Sequence, residues 1–366
     1  MKIHNPENER TKRAYFAFLK ESRGLSETSI DVAANALARF EGSTRWKSFK
    51  AFHYEQASAF KRQLGAQVGR RSGEPLSKAT IRQTLAALKA FFEWLSAQPG
   101  FRARIVYTDA SYFNLSLKDA TIARSTREAR IPTLEQIQRV LHSMPRETEI
   151  ERRNRAMFAL AALTAARADA LASMRMRHID IEARCVTQDA RQVRTKFSKS
   201  FPTFFVDIGG DACAIVAEWV HYLQRERLWG PNDPLFPATL VVLDSDTKFA
   251  AAGLDRKGWR NSAAVRKIFR DAFKVAGLPY SNPHTFRSTL ARFGEQTCRT
   301  PEEFKALSQN IGHEDVMTTF RSYGEVPVDR QAAIIRSLRV RNPDVSDRSK
   351  LAEDIAEFLG HRSARR

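Results

Sequence analysis

The feature that most constrains the fold is a long stretch in which apolar residues recur at helical spacing. Between Ser77 and Pro99 one face carries Ile81, Leu85, Leu88, Phe92 and Leu95. A repeat of three to four residues predicts an amphipathic helix with one buried face. Ser77 can cap its N-terminus, and Pro99 followed by Gly100 ends it. The segment therefore predicts a helical core for the N-terminal part of the chain.

Weaker patterns of the same kind extend this prediction to residues 1–105, which we expect to form a small helical domain. Shorter helical segments are predicted at residues 10–21, 27–41 and 55–64. In the second of these, Ser26 is a suitable cap for an apolar face. Residues 106–130 have few periodic apolar positions and predict a linker.

Residues 131–340 predict a second domain that is mostly helical with a small β-sheet, followed by a tail at residues 341–366. A capped helix starts after Thr133, and a longer helical run covers residues 153–181. Further helical segments are predicted at residues 211–228, 263–276, 284–296, 301–309 and 329–339. Short β-type segments are predicted at Cys185–Gln188, Gln192–Lys196 and Phe204–Ile208. Residues 230–262 are rich in turn-forming residues and predict an irregular surface insertion. The fold class is mainly α.

The charge of the chain indicates a polyanionic partner. Lys and Arg number 60 against 41 Asp and Glu, a formal net charge of +19, and 17 against 9 of these fall in the first hundred residues. A basic surface along both domains suits a clamp around duplex DNA, because neutralised phosphates release their counterions. Lys78, Arg82 and Lys89 lie off the apolar stripe of the long helix. They fit a solvated helix face or a DNA-binding one, and we predict DNA binding.

Several other classes of protein are disfavoured. Cys185, Cys213 and Cys298 are far apart and do not have the spacing of a disulfide framework or a zinc site. No stretch has the roughly 20 apolar residues that a membrane span needs, and the N-terminus lacks the apolar core of a signal peptide. The chain carries no P-loop and no clustered carboxylates. We expect no cofactor, no metal, and a cytoplasmic, nucleoid-associated location in a bacterium.

Four segments of the second domain carry residues suited to phosphate chemistry. In chain order they are LTAARADALASMRMRHIDI with Arg167, VRTKFSKSF with Lys196, PHTFRSTLARF with His284 and Arg287, and IGHEDVMTTFRSY with His313 and Tyr323. Taken singly, Arg167 fits an ion pair with Asp169, and Tyr323 fits a half-buried surface tyrosine. The joint order resembles the conserved boxes of the tyrosine recombinases, the phage-type integrases. This resemblance implies a SAM-like helical core-binding domain followed by the catalytic domain of that family.

Arginine is suited to the reaction that the resemblance implies. A phosphodiester gains charge on its nonbridging oxygens when it is attacked, and a planar guanidinium donates two parallel hydrogen bonds while staying charged. Arg167 and Arg287 are therefore the predicted phosphate clamp. His284 and Arg287 are three residues apart, so on a helix both face the same side.

The resemblance assigns the remaining roles. Tyr323 is the nucleophile, and its hydroxyl, with an ordinary pKa of about 10, must lose its proton during attack. His284 is the candidate base or proton shuttle, and His313 donates a hydrogen bond to the phosphate. Lys196 protonates the departing 5′ oxygen, although Lys199 is close enough in sequence to hold that role. The product is a 3′-phosphotyrosyl bond and a free 5′ hydroxyl.

The chain departs from the family pattern in three places. Ala165 stands where the family has glycine, and Ala170 stands where it has an acidic residue, with Asp169 one position early. The interval from His313 to Tyr323 is one residue longer than the commonest spacing. These departures fit a divergent branch of mobile-element integrases.

The resemblance also implies partners. We expect a homotetramer on two duplexes, each with an inverted-repeat core site, and an accessory DNA-bending protein is compatible with it. With a short N-terminus, no separate arm-binding domain is expected. An apolar stripe in residues 344–366 predicts docking on a neighbouring subunit or packing on its own; it consists of Leu351, Ile355, Phe358 and Leu359. The alternatives are a catalytically silent DNA-binding regulator and an enzyme like the type IB topoisomerases, with metal-dependent nucleases more distant.

Overall fold

The structure is a computed structural model, and it describes residues 4–69, 73–124, 130–195, 199–243, 249–298 and 300–312. Backbone contacts divide the chain into two compact units, Met1–Arg127 and Glu128–Arg366. The predicted class, mainly α with a small sheet component, is confirmed. No helix of the described part is long and apolar enough to cross a lipid bilayer.

The first unit is built from helices alone, apart from one isolated β-bridge in its described part. Its helices are α1 Pro6–Ala17, α2 Glu27–Ser43, α3 Tyr54–Gly65, α4 Lys78–Ser96 and α5 Leu117–Arg124. The side chain of Ser77 accepts a hydrogen bond from the backbone N–H of Thr80, so the predicted cap of α4 is confirmed. Asn5 caps α1 in the same way, and α1 continues into a π turn at Phe18–Ser22.

Aromatic rings fill the core of the first unit. Phe52 and Phe92 stack with ring centroids 3.6 Å apart, and Phe40 meets Phe92 edge to face at 5.2 Å. Phe113 stacks on Phe52 at 5.7 Å. Phe113 ends a 3₁₀ helix, Tyr107–Phe113, in the segment where the sequence predicts a linker. This part of the segment packs in the core of the first unit because the Phe113 ring is buried there.

Helices also dominate the second unit. They are α6 Leu134–Ser143, α7 Glu149–Thr164, α8 Ala168–Leu171, α9 Ala212–Arg225, α10 Ala263–Val275, α11 Thr285–Thr297 and α12 Pro301–Asn310. Capping boxes at Thr133, Thr148 and Thr300 start α6, α7 and α12. All residues from 156 to 164 are buried, which makes α7 the central helix of this unit. The helix predicted at residues 329–339 lies outside the described residues.

A three-stranded antiparallel sheet lies beside these helices. Its strands are β1 Ile179–Asp180, β2 Cys185–Gln188 and β3 Phe201–Phe204, with Val186 opposite Thr203 in the register. The predicted strand Cys185–Gln188 is confirmed. The predicted strand Phe204–Ile208 is wrong, because the chain leaves β3 after Phe204 and the N–H of Val206 bonds to the carbonyl of Leu163.

The strand predicted at Gln192–Lys196 is also wrong over its described residues. The N–H groups of Gln192 and Val193 both bond to the carbonyl of Asp189, which makes a turn rather than a ladder. Val193 is buried in the core of the unit. A buried apolar residue between polar ones has the alternation expected of a strand, even though the backbone here forms a turn.

The predicted irregular insertion at residues 230–262 contains regular structure. Strands β4 Thr239–Leu243 and β5 Phe249–Leu254 pair antiparallel, with a bulge between Leu240 and Val241. Arg153 of α7 anchors this hairpin through hydrogen bonds from Nη1 to the carbonyl of Pro237 and to the hydroxyl of Thr239, at 2.8 and 3.1 Å. Most turn-forming residues of this region lie outside the two strands. Within the strands apolar and polar residues do not alternate, so no strand pattern is visible in the sequence there.

Candidate active site

The end of α7 places Arg167. Thr164 donates its hydroxyl to the carbonyl of Leu160 at 2.6 Å and accepts the N–H of Ala166 at 3.2 Å. Ala165 then adopts a left-handed conformation with φ of 48°, which ends the helix. The helical run predicted over residues 153–181 is therefore broken here. Arg167 follows at the N-cap of α8 and is half-buried.

Arg287 of α11 joins three separate segments. Its side chain is 4% exposed. Nη1 donates to the carbonyl of Ala165 at 3.2 Å, and Nη2 donates to the carbonyl of Ile311. Its Nε–H is buried and makes no hydrogen bond within the described residues. The guanidinium thus connects α11, the junction that carries Arg167, and the residues that precede His313.

The two arginines form a centre of positive charge in which Arg287 is buried and Arg167 is half-buried. Burial, together with the nearby charge of Arg167, lowers the pKa of Arg287 to about 9. Burial also lowers the pKa of Arg167. Neither has an ion pair within the described residues, and Asp169 is not a partner of Arg167 there. Two neighbouring cations without a carboxylate favour an anion between them, since an anion relieves both the repulsion and the desolvation.

The residues before His313 are held against β3. Asn310 accepts the N–H of Phe204 at 2.7 Å and donates to the carbonyl of Phe204 at 2.9 Å, in the manner of a neighbouring strand. Gly312 has a φ of +72°, and a Cβ there would lie 2.6 Å from the ring of Phe201. The positive φ and the narrow space beside Phe201 therefore both favour glycine at this position. Sequence reasoning missed Asn310, because a single polar residue at a helix end gives no periodic signal.

His284 occupies the N-cap position of α11, one turn before Arg287. Its side chain is exposed, and its backbone N–H donates a hydrogen bond to the side-chain oxygen of Asn282 at 2.9 Å. The predicted spacing places both residues at the start of one helix, with Arg287 buried and His284 at the surface. The His284 side chain makes no capping hydrogen bond to the helix.

Three of the predicted catalytic residues, Lys196, His313 and Tyr323, lie outside the described residues. Their assignments stay predictions. Lys199, the alternative general acid, is half-buried two residues before β3. Among the described residues, the structure brings together Arg167 and Arg287, with His284 on the same helix as Arg287.

The basic residues predicted to contact DNA lie on α4 of the first unit. Lys78 forms an ion pair with Asp119 of α5 at 2.7 Å. Lys89 donates to the Asn114 side chain at 3.2 Å. Arg82 makes no hydrogen bond or ion pair with the described part of the chain. Their role in DNA binding stays a prediction.

Metal-ligating side chains do not gather in the described part of the chain: no group of three or more His, Cys, Asp or Glu is placed to hold an ion. The cysteines Cys185, Cys213 and Cys298 are unpaired there. Burial raises the pKa of each of the three thiols.

The fold of the chain is similar to the folds of several known proteins. The structure is similar to lambda integrase in a dimer bound to a core site, with a TM-score of 0.59 and 14% identity over 87% of this chain and 99% of that one. It is similar to the Tn1549 transposon integrase bound to transposon right end DNA, with a TM-score of 0.57 and 13% identity over 89% and 98%. The XerH site-specific recombinase bound to a palindromic difH substrate gives 0.56 and 16% over 89% and 84%.

At these identities the structural likenesses establish the fold, and the sequence establishes the family. No curated protein sequence matches the chain. The sequence pattern of the phage integrase family matches residues 132–328, which include both arginines, His284 and Gly312. The chain therefore belongs to the phage integrase family.

Proposed function

We propose that the chain is a site-specific DNA recombinase, which cleaves and rejoins DNA through a covalent bond between Tyr323 and a 3′ phosphate. The observation that supports this most directly is the contact set of Arg287. Its guanidinium joins the Arg167 junction to Ile311, two residues before His313. Residues that are 122 positions apart in sequence thereby meet around one cationic centre suited to a phosphate.

In the cleavage step the Tyr323 oxygen attacks phosphorus and loses its proton to His284. Arg167 and Arg287 donate hydrogen bonds to the nonbridging oxygens, on which charge increases, and His313 adds a further donor. The half-buried position of Arg167 and the buried Arg287 strengthen these interactions, because water competes poorly for them.

The bond that breaks is the one between phosphorus and the 5′ oxygen. Lys196 donates a proton to this oxygen, so that it leaves as a hydroxyl, and Lys199 is the alternative donor. The phosphotyrosyl diester keeps the energy of the original diester. Attack by a 5′ hydroxyl on this bond then reseals a strand by the same steps in reverse, without ATP.

The substrate we propose is duplex DNA with an inverted-repeat core site. The charge of +19 and the DNA complexes of similar folds support a DNA partner. We propose that the helical first unit serves as the core-binding domain, with Lys78, Arg82 and Lys89 among its contacts. We also propose a homotetramer acting for a mobile element in a bacterial cytoplasm, with an accessory DNA-bending protein as a further partner.

The test traps the covalent intermediate. Binding of the full-length chain to a pool of random duplexes selects its site, and the selected duplex is then nicked next to the cleavage point so that a short strand diffuses away. A protein–DNA adduct that resists denaturant is expected for the native chain and not for Tyr323→Phe. The matched control is Tyr280→Phe, an exposed tyrosine of the same unit, which should form the adduct normally.

The outcomes separate the proposed function from its competitors. Selective binding without an adduct would identify a DNA-binding regulator. An adduct accompanied by relaxation of plasmids that lack the selected site would identify a topoisomerase. Activity that disappears in EDTA would identify a metal-dependent nuclease and overturn the proposal.

A further inference from the structure

A buried histidine outside the proposed catalytic set lies beside the loop between β2 and β3. His178 is 4% exposed and follows α8 by a few residues. Its ring is within hydrogen-bond distance of Gln192, which belongs to the segment Asp189–Thr195. This segment leads out of β2 and is called the limb here. The limb precedes Lys196 directly in sequence.

Both ring nitrogens of His178 have assigned partners. Nδ1 accepts the backbone N–H of Arg175 at 2.9 Å, so the proton of the neutral ring must be on Nε2. Nε2 lies 3.2 Å from Oε1 of Gln192 in the limb and donates to it. The neutral tautomer therefore connects the limb to the chain that follows α8, at Arg175 and His178.

Three further contacts hold the limb against the rest of the second unit. The Val193 side chain is buried in the core of the second unit. The N–H of Arg194 donates to the hydroxyl of Ser173 at 2.9 Å, and its Nη2 donates to the carbonyl of Trp259 at 3.1 Å. Ser173 in turn donates to the carbonyl of Asp169 in α8, the helix that has Arg167 at its N-cap position.

An ion pair between Asp189 and Arg191 lies at the start of the limb. Asp189 accepts two hydrogen bonds from the Arg191 side chain at 3.0 and 2.9 Å. The hydroxyl of Ser200, next to β3, lies 3.5 Å from the same carboxylate and accepts the N–H of Ala190 at 2.9 Å. The hydrogen bond from Arg191 lowers the pKa of Asp189 to about 2, so this carboxylate is ionised at neutral pH.

We infer that His178 is a positioning residue. Through its hydrogen bond with Gln192 it fixes the limb relative to residues 167–178, which begin with Arg167 and include α8. Thr195, the last residue of the limb, is then held at a defined place relative to α8. The inference rests on the proposed function, in which Lys196, the next residue, is the general acid. A general acid needs its proton donor within hydrogen-bond reach of the leaving oxygen, so anchoring the limb affects the protonation step.

The charges around His178 support the neutral form. Burial lowers the pKa of His178, and the cations Arg177 and Arg175 lower it further, while Gln192 and Asp189 act in the opposite direction. A proton on Nδ1 would also face the N–H of Arg175 and lose that hydrogen bond. The hydrogen bond from Arg175 therefore requires a ring without a proton on Nδ1, and in this neutral ring the proton on Nε2 is the one donated to Gln192.

Hydrogen exchange in the full-length protein tests the anchor without DNA. His178→Gln keeps a nitrogen donor near the position of Nε2, whereas His178→Asn keeps only an acceptor near Nδ1. Amides of residues 192–195 should exchange about 10 times faster in His178→Asn and close to normally in His178→Gln. Gln192→Ala removes the same bond from the exposed side and should match His178→Asn, so the test does not depend on tolerance of a core change.

A substrate with sulfur in place of the bridging 5′ oxygen tests the effect on chemistry. When Tyr323 attacks, the bond between phosphorus and sulfur breaks, and a thiolate leaves without needing a proton. On the oxygen form of the selected duplex, His178→Asn and Gln192→Ala should cleave about 10 to 100 times more slowly than the native chain. On the sulfur form the native chain and both variants should cleave at rates within about twofold.

Lys196→Ala on the same two duplexes separates the inference from the function on which it rests. If Lys196→Ala is restored by sulfur and His178→Asn is not, the positioning role is overturned while the proposed function stands. If Lys196→Ala is equally slow on both duplexes, the general-acid role of Lys196 is overturned, and the inference with it. Normal exchange of residues 192–195 in both His178→Asn and Gln192→Ala would also overturn the inference.

Discussion

Three buried charged side chains, one in the first unit and two in the second, differ in the partners that the fold gives them, whereas Arg155 of the second unit is buried with Asp211 as its carboxylate partner. In the first unit Glu41 is 1% exposed and is fully matched, since it accepts hydrogen bonds from Lys12 at 2.6 Å and from Asn8 at 3.1 Å. In the second unit Arg153 and Arg287 are 2% and 4% exposed and have no carboxylate partner in the described part of the chain. Backbone carbonyls accept from them instead.

This difference distinguishes a structural charge from one that is available to a ligand. Carbonyl oxygens satisfy N–H donors but leave the unit positive charge uncompensated. Arg153 has partners for all its nitrogens, among them the Asn154 side chain. Arg287 retains a buried Nε–H without a partner in the described residues, and its neighbour Arg167 is a second cation. Of these two arginines, Arg287 therefore combines an uncompensated charge with a hydrogen-bond donor that has no partner in the described residues.

The largest expected effect is on catalysis. Arg287→Lys keeps the charge but removes the planar fork, so the rate of adduct formation on the nicked duplex should fall about 10²- to 10³-fold. Arg153→Lys is the matched control, equally buried in the same unit, and should lower the melting temperature while leaving the adduct rate nearly unchanged. An equal loss of rate in both variants would remove the distinction between the two arginines.

The matched charge of the first unit should matter for stability alone. Glu41→Ala leaves Lys12 and Asn8 without their buried acceptor, and we expect the free energy of unfolding to fall by about 2 kcal/mol. Chemical denaturation followed by tryptophan fluorescence measures it. Glu27→Ala breaks an exposed ion pair with Lys20 and should give no measurable change. A similar loss in both variants would contradict the assignment.

An inorganic anion should stabilise the second unit through its unmatched charge. At 10 to 100 times its dissociation constant, sulfate bound between Arg167 and Arg287 would add about 1.4 to 2.7 kcal/mol. Calorimetry should show a smaller rise in melting temperature for Arg167→Ala than for Arg153→Lys, since sulfate also stabilises proteins nonspecifically. Equal rises would show that no anion binds between the two arginines.

A smaller effect is expected at Ala165, whose backbone is strained at the junction between α7 and Arg167. Ala165 adopts a positive φ that glycine adopts readily, so Ala165→Gly should raise the free energy of unfolding by about 1 kcal/mol. Ala166→Gly, at the next position and without a positive φ, should lower it. Denaturation of the two variants compares them directly, and stabilisation by both or by neither would contradict this account of the junction.

The smallest effect is the pH dependence contributed by His178, whose pKa burial lowers from the ordinary 6.5. The unfolded chain therefore takes up this proton first as the pH falls. The stability that neutral His178 contributes is present above pH 6.5 and is lost as the pH falls through the lowered value. His178→Gln cannot titrate, so between pH 7.5 and 5.5 it should lose less stability than the native chain. An identical pH profile would show that the ring titrates alike in both states.

Several local features could be predicted from the sequence because they depend on neighbours within one helical turn. The caps at Ser77 and Thr133, the apolar stripe of α4 and the strand Cys185–Gln188 are of this kind. The order of the family boxes also identified Arg167 and Arg287 as a pair. By contrast, the hairpin of residues 239–254 and the packing of Phe113 had no local signal, since both depend on distant partners.

The sequence by itself determined which residue types are available for phosphate chemistry and in what order, because motif and periodicity are properties of adjacent positions. Tertiary structure alone decided how they are used. It brought the Arg287 guanidinium within hydrogen-bond reach of two backbone carbonyls. It paired the Asn310 side chain with the backbone N–H and carbonyl of Phe204. It also placed His178 against the limb. These contacts join residues 14 to 122 positions apart, and their geometry follows from the packing of whole helices, which no local pattern encodes.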